Sequence, residues 1–485
     1  MLVVALVLGL YGRALGFGFI VDDHALVANN AALADWSTLG EALGHDLFHF
    51  ADVRSSPYWR PLVTLSYYVD HAVGGGESWA FHLSNLVWLV FAGIGVARLA
   101  PGWSGVALAV AFVAHPVQVE GAVSIASRTD LMCVACMIWA LRARHTPATV
   151  LTLAACLSKE VGLLLPLVLF LDRRAWKGPA LAAGLVLSVR ALVPLGSLES
   201  AMDVFSAPGR MAWMATRLVV PTFEGLSTEG SVLPLPLALL VLVGVLASAR
   251  VHRAAPVLVL GPLFAVSGVL GVARTSDALL LVPLLGLVVA VAPHARVAPL
   301  LAVSALAAVF SAGRVGEWRD DLTLWEATHR ANPGEVQPRL GIARAVVDTD
   351  AERALVLLDV QGRTPRESRE VAEVRGRALL VLGREDDALV QLRLAAWDDP
   401  EAVWANATVC AMAPDIGICT QASRLAPDEG GIWNSLGIAH AASGSPDEAL
   451  TAFDAACVLD EAWCGNAEKA RSEVELAPSG QGGGP

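Results

Sequence analysis

Residues 297–325 read VAPLLAVSALAAVFSAGRVGEWRDDLTLW, an apolar run that ends at Phe310 and yields within a few residues to charged sequence. Similar apolar runs fill the chain upstream, and mixed polar sequence fills it downstream, so two unlike parts meet here. Charge separates them as well: residues 1–311 hold 18 Lys+Arg against 17 Asp+Glu, and residues 312–485 hold 16 against 29. With 55% hydrophobic residues, 16% charged residues and a mean hydropathy of +0.57, the chain exceeds what 485 water-soluble residues carry. A bilayer is therefore expected to be one of its solvents. The acidic, lysine-poor second part excludes a nucleic-acid binder, because phosphate contacts need cationic side chains.

Apolar stretches near 1–16, 82–99, 103–115, 130–141, 147–157, 161–172, 178–195, 231–249, 256–272, 278–292 and 297–312 predict about eleven crossings. Several fall short of the roughly 20 residues that hydrocarbon requires, so these extend into polar flanks or re-enter. The first run lacks a basic flank and a small-residue cleavage site, and reads as a retained span. Alternate loops collect Arg98, Arg142, Arg144, Arg173, Arg174, Lys177, Arg250, Arg253 and Arg296 with Asp172 as their sole acid, which marks that face as cytoplasmic. The opposite face receives Asp22, Asp23, the segment up to Phe81, the His115–Asp130 loop, Glu160, the 199–229 segment and everything after the last span.

Polar residues near membrane depth are costly, so the outer-face clusters carry the functional expectations. Asp22 and Asp23 follow the first span directly. Side by side, two carboxylates raise each other's pKa, which suits a base or a holder of a hydroxyl; a solvated turn is the alternative. Tyr58-Trp59-Arg60-Pro61 places a guanidinium among aromatics, fit either to fork a phosphate or to sit in an interfacial belt. His82 and Asn85 share a helix face by their spacing and can equally bond to each other. His115, Glu120, Arg128 and Asp130 share one short loop. Lys159 and Glu160 are neighbours that either act or neutralise each other.

In order, Val-Asp-Asp (21–23), Asn-Asn (29–30), Trp-Arg-Pro-Leu (59–62), Phe-His-Leu-Ser-Asn (81–85), Ala-His-Pro-Val-Gln-Val-Glu (114–120), Ser-Arg-Thr-Asp-Leu (127–131) and Ser-Lys-Glu (158–160) resemble the transmembrane-and-TPR O-mannosyltransferases and bacterial relatives of that family. Glu317-Trp318-Arg319-Asp320-Asp321-Leu322 and Ala331-Asn332-Pro333 are similar to that family's junction between last span and first repeat. The chain departs from the pattern at Asp277–Pro283, which lacks an Arg and tyrosines, and matches loosely through Arg210, Arg217 and Pro221-Thr222-Phe223. The resemblance implies a GT-C membrane domain in a bacterial inner membrane, inverting sugar transfer, and a polyprenyl-phosphate-linked donor, mannose above all, with Ser/Thr hydroxyls of proteins as acceptors. It implies Asp22 or Asp23 as base, with Arg60, Arg128 and Lys159 on the lipid phosphate. His82, His115, Glu120, Asp130 and Glu160 complete the donor site. An oligosaccharide transferase or polymerase of the same superfamily and a non-catalytic scaffold for envelope proteins are the competing readings.

Independently of that resemblance, the C-terminal part carries the TPR pattern of Trp, Leu-Gly, aromatic, Ala, Phe, Ala and Pro at fixed offsets. Trp433, Leu436, Gly437, His440, Ala449, Phe453 and Ala456 fit it; Gly376, Ala388, Leu392, Ala395 and Pro400 form an earlier unit, and a fainter one begins near Gly341. These predict an all-α chain: a membrane domain over 1–312, a junction over 313–334, and a solenoid of about four hairpins over 335–475, the third degenerate, offering a peptide groove. A disordered tail over 476–485 follows. Cys133, Cys136 and Cys156 lie in apolar runs as small hydrophobes and suggest no metal. Cys410, Cys419, Cys457 and Cys464 face an oxidising space, where the local pairs 410–419 and 457–464 are expected among three possible connectivities.

Overall fold

The structure is a computed structural model that describes residues 1–51, 56–195, 207–219, 233–266, 277–362, 364–398 and 402–476. Among these residues every regular element is helical. The chain divides into two compact units, Met1–Glu335 and Val336–Pro485. Residues 199–206 and 220–229 of the 199–229 segment, with Pro221-Thr222-Phe223, the end of the 256–272 stretch, Pro400 and the tail from 477 onward lie outside the described residues.

The first unit contains α1 (Leu2–Tyr11), α2 (Leu39–Gly44), α3 (Pro61–Gly74), α4 (Ser78–Ala97), α5 (Gly102–Ala114), α6 (Gln118–Val123), α7 (Arg128–Ala140) and α8 (His145–Ser158). It continues with α9 (Leu165–Leu171), α10 (Lys177–Arg190), α11 (Ala207–Arg217), α12 (Leu235–Ala247), α13 (Ala255–Val266), α14 (Leu281–Val291), α15 (Val297–Val315) and α16 (Asp321–Ala331). Long Ala/Leu/Val runs favour helix, and Pro61 opens α3 where a missing N–H costs nothing. Packing centres on α7, whose residues Arg128 to Ile138 are all buried. Small residues admit its neighbour α4 closely: a Cβ on Gly93 would lie 2.8 Å from Val3 and 2.9 Å from Val113, and one on Gly95 would lie 2.6 Å from Ile138.

The periphery is apolar too. On α10, α12 and α15, Leu181, Leu185, Leu240, Val243, Leu306 and Val309 are exposed, a surface suited to hydrocarbon and costly in water. Two stretches among the described residues, Ser78–Ala97 and Val297–Trp318, are long and apolar enough to cross hydrocarbon alone. The eleven expected crossings thus resolve into these two and a set of shorter apolar helices. The physical reason is visible in the chain, where 3₁₀ turns at Gly12–Gly16, Glu160–Leu164 and Ala292–His294 interrupt runs that composition alone would continue.

The second unit contains α17 (Val336–Val346), α18 (Ala351–Leu357), α19 (Pro365–Val381), α20 (Glu385–Asp398), α21 (Val403–Met412), α22 (Ile416–Leu425), α23 (Gly430–Ala442), α24 (Pro446–Leu459) and α25 (Cys464–Leu476). Short connections fold the first eight into successive helical hairpins. Side-chain caps start the helices: Asp350, Thr364 and Asp415 each accept a first-turn N–H. Glycine sets the spacing within hairpins, since a Cβ on Gly376 would meet Leu392 at 2.6 Å and one on Gly437 would meet the Phe453 ring at 2.6 Å. The third hairpin, α21–α22, is the least regular by sequence, and the Cys410–Cys419 disulfide ties its two helices together. Cys457–Cys464 ties α24 to α25. Both expected pairs are therefore present.

Candidate functional site

Residues 20–23 form a tight turn in which the Asp23 N–H donates to the Ile20 carbonyl at 2.8 Å. Val21 sits at its first central position with φ +46°. Glycine normally takes such a place, and a β-branched residue held there costs on the order of 1–3 kcal/mol. The two adjacent carboxylates part company at this turn. Asp23 is fully buried; its carboxylate accepts from Ala126 N–H at 2.8 Å and from Ile20 and Ile125 N–H at 3.4 Å. Burial pushes its pKa up to about 7 against the pull of those N–H groups, and neighbouring Asp22 adds to the rise. Asp22 is exposed at the apex. Of the pair, one carboxylate ties the turn to the loop before α7 and the other faces outward.

Behind the turn lies a knot around Arg128, which is completely buried. Its Nε donates to Asn85 Oδ1 at 2.7 Å, one terminal nitrogen donates to Ser66 at 3.0 Å and to the Asp70 carboxylate, and the other reaches the Phe81 carbonyl at 2.6 Å. The Tyr67 ring lies 4.9 Å below the guanidinium. Asn85 in turn donates to the Ser124 carbonyl at 2.8 Å. Arg128 thus has neither exposure nor a spare direction for a phosphate; it joins α3, α4 and α7. Asn85 bonds to Arg128 and not to His82. His82 is buried edge-on to Phe17 at 6.5 Å, among the backbone of Phe17, Gly18 and Val123, with neither ring nitrogen at full hydrogen-bond geometry.

A cationic group forms at the junction of α3, α8 and α10. Arg60 lies 4.5 Å over the Tyr58 ring and donates to Glu160 at 3.3 Å; Arg190, at the end of α10, donates to Glu160 at 3.3 Å and to the Pro57 carbonyl at 2.7 Å. Lys159 pairs with Asp130 at 2.5 Å, and Thr129 also donates to Asp130 at 3.2 Å. Burial alone would raise the Glu160 carboxyl, but Arg60, Lys159 and Arg190 hold it below its ordinary value. Burial likewise works against the Arg60 charge, and Glu160 and Asp130 more than restore it. Three cations stand against two carboxylates. Tyr67, on the helix that follows Arg60, donates its hydroxyl to the Ile125 carbonyl at 3.2 Å, and the Ile125 N–H binds Asp23, so α3 joins this group to the acidic turn.

A further buried pairing joins the late helices. Asp277 accepts from Arg217 and, at 2.7 Å, from Arg314. Beside it, Glu120 accepts from Ser127 at 3.3 Å and from the Ala278 N–H at 3.1 Å. His115 spends both ring nitrogens on backbone, accepting from Val117 N–H at 3.2 Å and facing the Leu218 carbonyl at 3.1 Å. Asp277 is therefore a filled structural position, with arginines arriving from α11 and α15.

Of the residues singled out by sequence, Asp22, Asp23, Arg60, Asp130, Lys159 and Glu160 fall on the turn and the cationic group. Arg128, His115 and Glu120 serve as internal ties, and His82 is packed in the interior. Sequence reasoning passed over Arg190, although a lone cation in an apolar run is a signal in itself. It also left Asp321 in the junction motif: this residue accepts the Val21 N–H at 2.9 Å and pairs with His24 at 2.7 Å. Among the described residues no three His, Cys, Asp or Glu side chains converge as metal ligands.

No protein-family model matches the chain. Over 137 residues it is 33% identical to Protein O-mannosyl-transferase Tmtc2 of Drosophila melanogaster, covering 27% of this chain and 15% of that protein. Over 146 residues it is 33% identical to Protein O-mannosyl-transferase Tmtc1 of the same organism, covering 28% and 17%. To Protein O-mannosyl-transferase TMTC2 of Homo sapiens it is 30% identical over 137 residues, covering 26% and 16%. The matches thus establish distant homology across about a quarter of this chain and span less than a fifth of each relative's length. The crystal structure of MamA is similar at 17% identity with a TM-score of 0.24, covering 30% of this chain and 89% of that one; a likeness of that size carries no argument.

Proposed function

We propose that the chain is an integral-membrane glycosyltransferase of GT-C type. It moves a sugar, mannose by the names of its relatives, from a polyprenyl-phosphate donor to Ser/Thr hydroxyls of proteins on the outer face. The observation that carries this reading is the exposed Asp22 on a turn pinned by Asp23 and Asp321, together with the group in which Arg60, Arg190 and Lys159 stand against Glu160 and Asp130. The distant homology to protein O-mannosyl-transferases agrees with it. In the reaction Asp22 takes the proton of the acceptor hydroxyl, the hydroxyl oxygen bonds to the anomeric carbon, and the bond from that carbon to the lipid phosphate breaks. The phosphate leaves as an anion. Arg60 and Lys159, with Arg190 beside them, bind it and stabilise the charge that develops. Asp23, Glu120 and Arg128 hold these groups in place. The first unit spans the inner membrane of a bacterium through its long apolar helices and shorter ones packed against them, with the N-terminus cytoplasmic. The helical hairpins stand in the periplasm and offer a groove to the acceptor polypeptide.

The test is transfer of radiolabelled mannose from polyprenyl-phosphate-mannose to envelope proteins, in membranes holding equal amounts of native chain or the Asp22→Asn, Asp23→Asn or Lys159→Gln variants. Loss of label with Asp22→Asn is expected, as is a raised donor KM with Lys159→Gln. Equal label in native and Asp22→Asn membranes would remove Asp22 as the base. No label in any membrane, with hairpins that still capture envelope proteins, would favour a scaffold.

A further inference from the structure

The turn that displays Asp22 is held by more than its own bond from Asp23 N–H to the Ile20 carbonyl. Val21 occupies the positive-φ position, and the residue type gives the backbone every reason to leave it. Asp23 anchors the C-terminal end of the turn to Ile125 and Ala126. At the strained residue the anchor comes from far along the chain. Asp321 Oδ1 accepts the Val21 N–H at 2.9 Å, and Oδ2 meets His24 Nε2 at 2.7 Å. One carboxylate therefore grips the turn on both sides of Asp22. That carboxylate is itself fixed: Asp320 caps α16 by accepting the Thr323 N–H at 2.8 Å, and Trp318 and Leu324 are buried in the main core of the first unit. The Gly18 N–H adds a bond to the Arg319 carbonyl at 3.4 Å, so the strand of chain before the turn meets the same segment.

We propose that Asp321 is a positioning residue for the Asp22 carboxylate, holding closed a turn that Val21 would otherwise open. It rests on the reading of Asp22 as base, and it extends the site to the segment after the last apolar helix. The pairing also keeps a charge beside His24, whose pKa is raised chiefly by its hydrogen bond to Asp321 against the effect of burial. A clamp of this kind acts on orientation and leaves donor binding alone.

The decisive experiment is a double-mutant cycle in the full chain, comparing Asp321→Ala in the native and the Val21→Gly backgrounds. Glycine accepts the turn's backbone geometry, so a clamp becomes dispensable when Val21 is replaced, whereas a general packing role for Asp321 would be insensitive to it. In the native background Asp321→Ala is expected to lower kcat by about 10- to 100-fold, the scale of a misplaced catalytic group, with the donor KM little changed. In the Val21→Gly background the same substitution is expected to cost only about twofold. Hydrogen exchange of residues 20–26 gives a readout independent of activity: the Asp23 and His24 amides should exchange about tenfold faster in Asp321→Ala, and much less so in the Val21→Gly background. Equal effects of Asp321→Ala in both backgrounds, in exchange as in kcat, would overturn the clamp. If no variant and no native chain transfers sugar, the enzymatic reading fails, while the exchange cycle still decides whether Asp321 holds the turn.

Discussion

The two units share apolar interiors but differ in whether they also bury charge. In the first, Asp23, Asp70, Glu120, Arg128, Asp130, Lys159, Arg210, Arg217 and Asp277 are buried while leucines and valines of α10, α12 and α15 lie exposed. In the second, no Asp, Glu, Lys or Arg is buried among the described residues, and the interior is rich in Ala, with Leu, Val, Ile, Cys and Phe453. Helix starts differ along the chain: α3, α4, α5 and α7 begin without a side-chain cap, whereas beyond the last apolar helix Asp and Thr caps open α16, α18, α19 and α22. The lesson is that the two units are patterned in opposite senses between inside and outside. Where the periphery is apolar, polar groups are most valuable inside as specific ties; where the periphery is water, charge belongs outside and small residues set the spacing.

If buried ties organise the first unit, removing one partner should hurt most. Arg128→Met leaves Asp70 and Asn85 without their partner, and a loss of about 3–5 kcal/mol is expected, seen as collapse of yield and thermal stability in detergent. The double replacement Arg128→Met/Asp70→Leu should recover much of it. In the second unit the comparable weak point is covalent: Cys410→Ala/Cys419→Ala frees the third hairpin and should cost roughly 2–3 kcal/mol, read as faster hydrogen exchange in α21 and α22 with α23 and α24 less affected.

A subtler difference concerns pH. Asp23 has a folded pKa near 7, well above that of an unfolded aspartate, so between about pH 4 and 7 the folded state holds more protons than the unfolded one. Its contribution to stability is complete below that window and is lost as pH rises through it. The native chain's stability should therefore fall across this range by as much as about 1.4 kcal/mol per pH unit beyond the Asp23→Asn variant, whose slope should be flatter. Equal slopes would show that Asp23 ionises freely. The smallest effect is expected on the surface of the second unit, where Arg377 and Asp348 pair at 2.6 Å with both side chains at least half exposed. Asp348→Asn should change stability by no more than about 1 kcal/mol and should matter less in high salt.

Much of this was legible in the residues themselves. The change of composition near Phe310, the small positions Gly376 and Gly437, and the short spacings of both cysteine pairs depend on near neighbours, which a sequence displays directly. So did the cluster of candidate polar residues, because charges in apolar surroundings are few and conspicuous. Their division of labour was not legible. Asp22 and Asp23 are adjacent and identical in type, and only the arrival of the Ile125 and Ala126 amides makes one a buried tie and leaves the other exposed. Arg128 looks in sequence like an anion ligand, and becomes an internal brace because Ser66, Asp70, Phe81 and Asn85 converge on it. Asp321 acquires its place from a contact 300 residues away. Solvent preference and helical spacing are properties of short stretches, so sequence alone determined them. Which polar group is satisfied, and by whom, depends on distant backbone brought within hydrogen-bond reach, and that was decided by the tertiary structure.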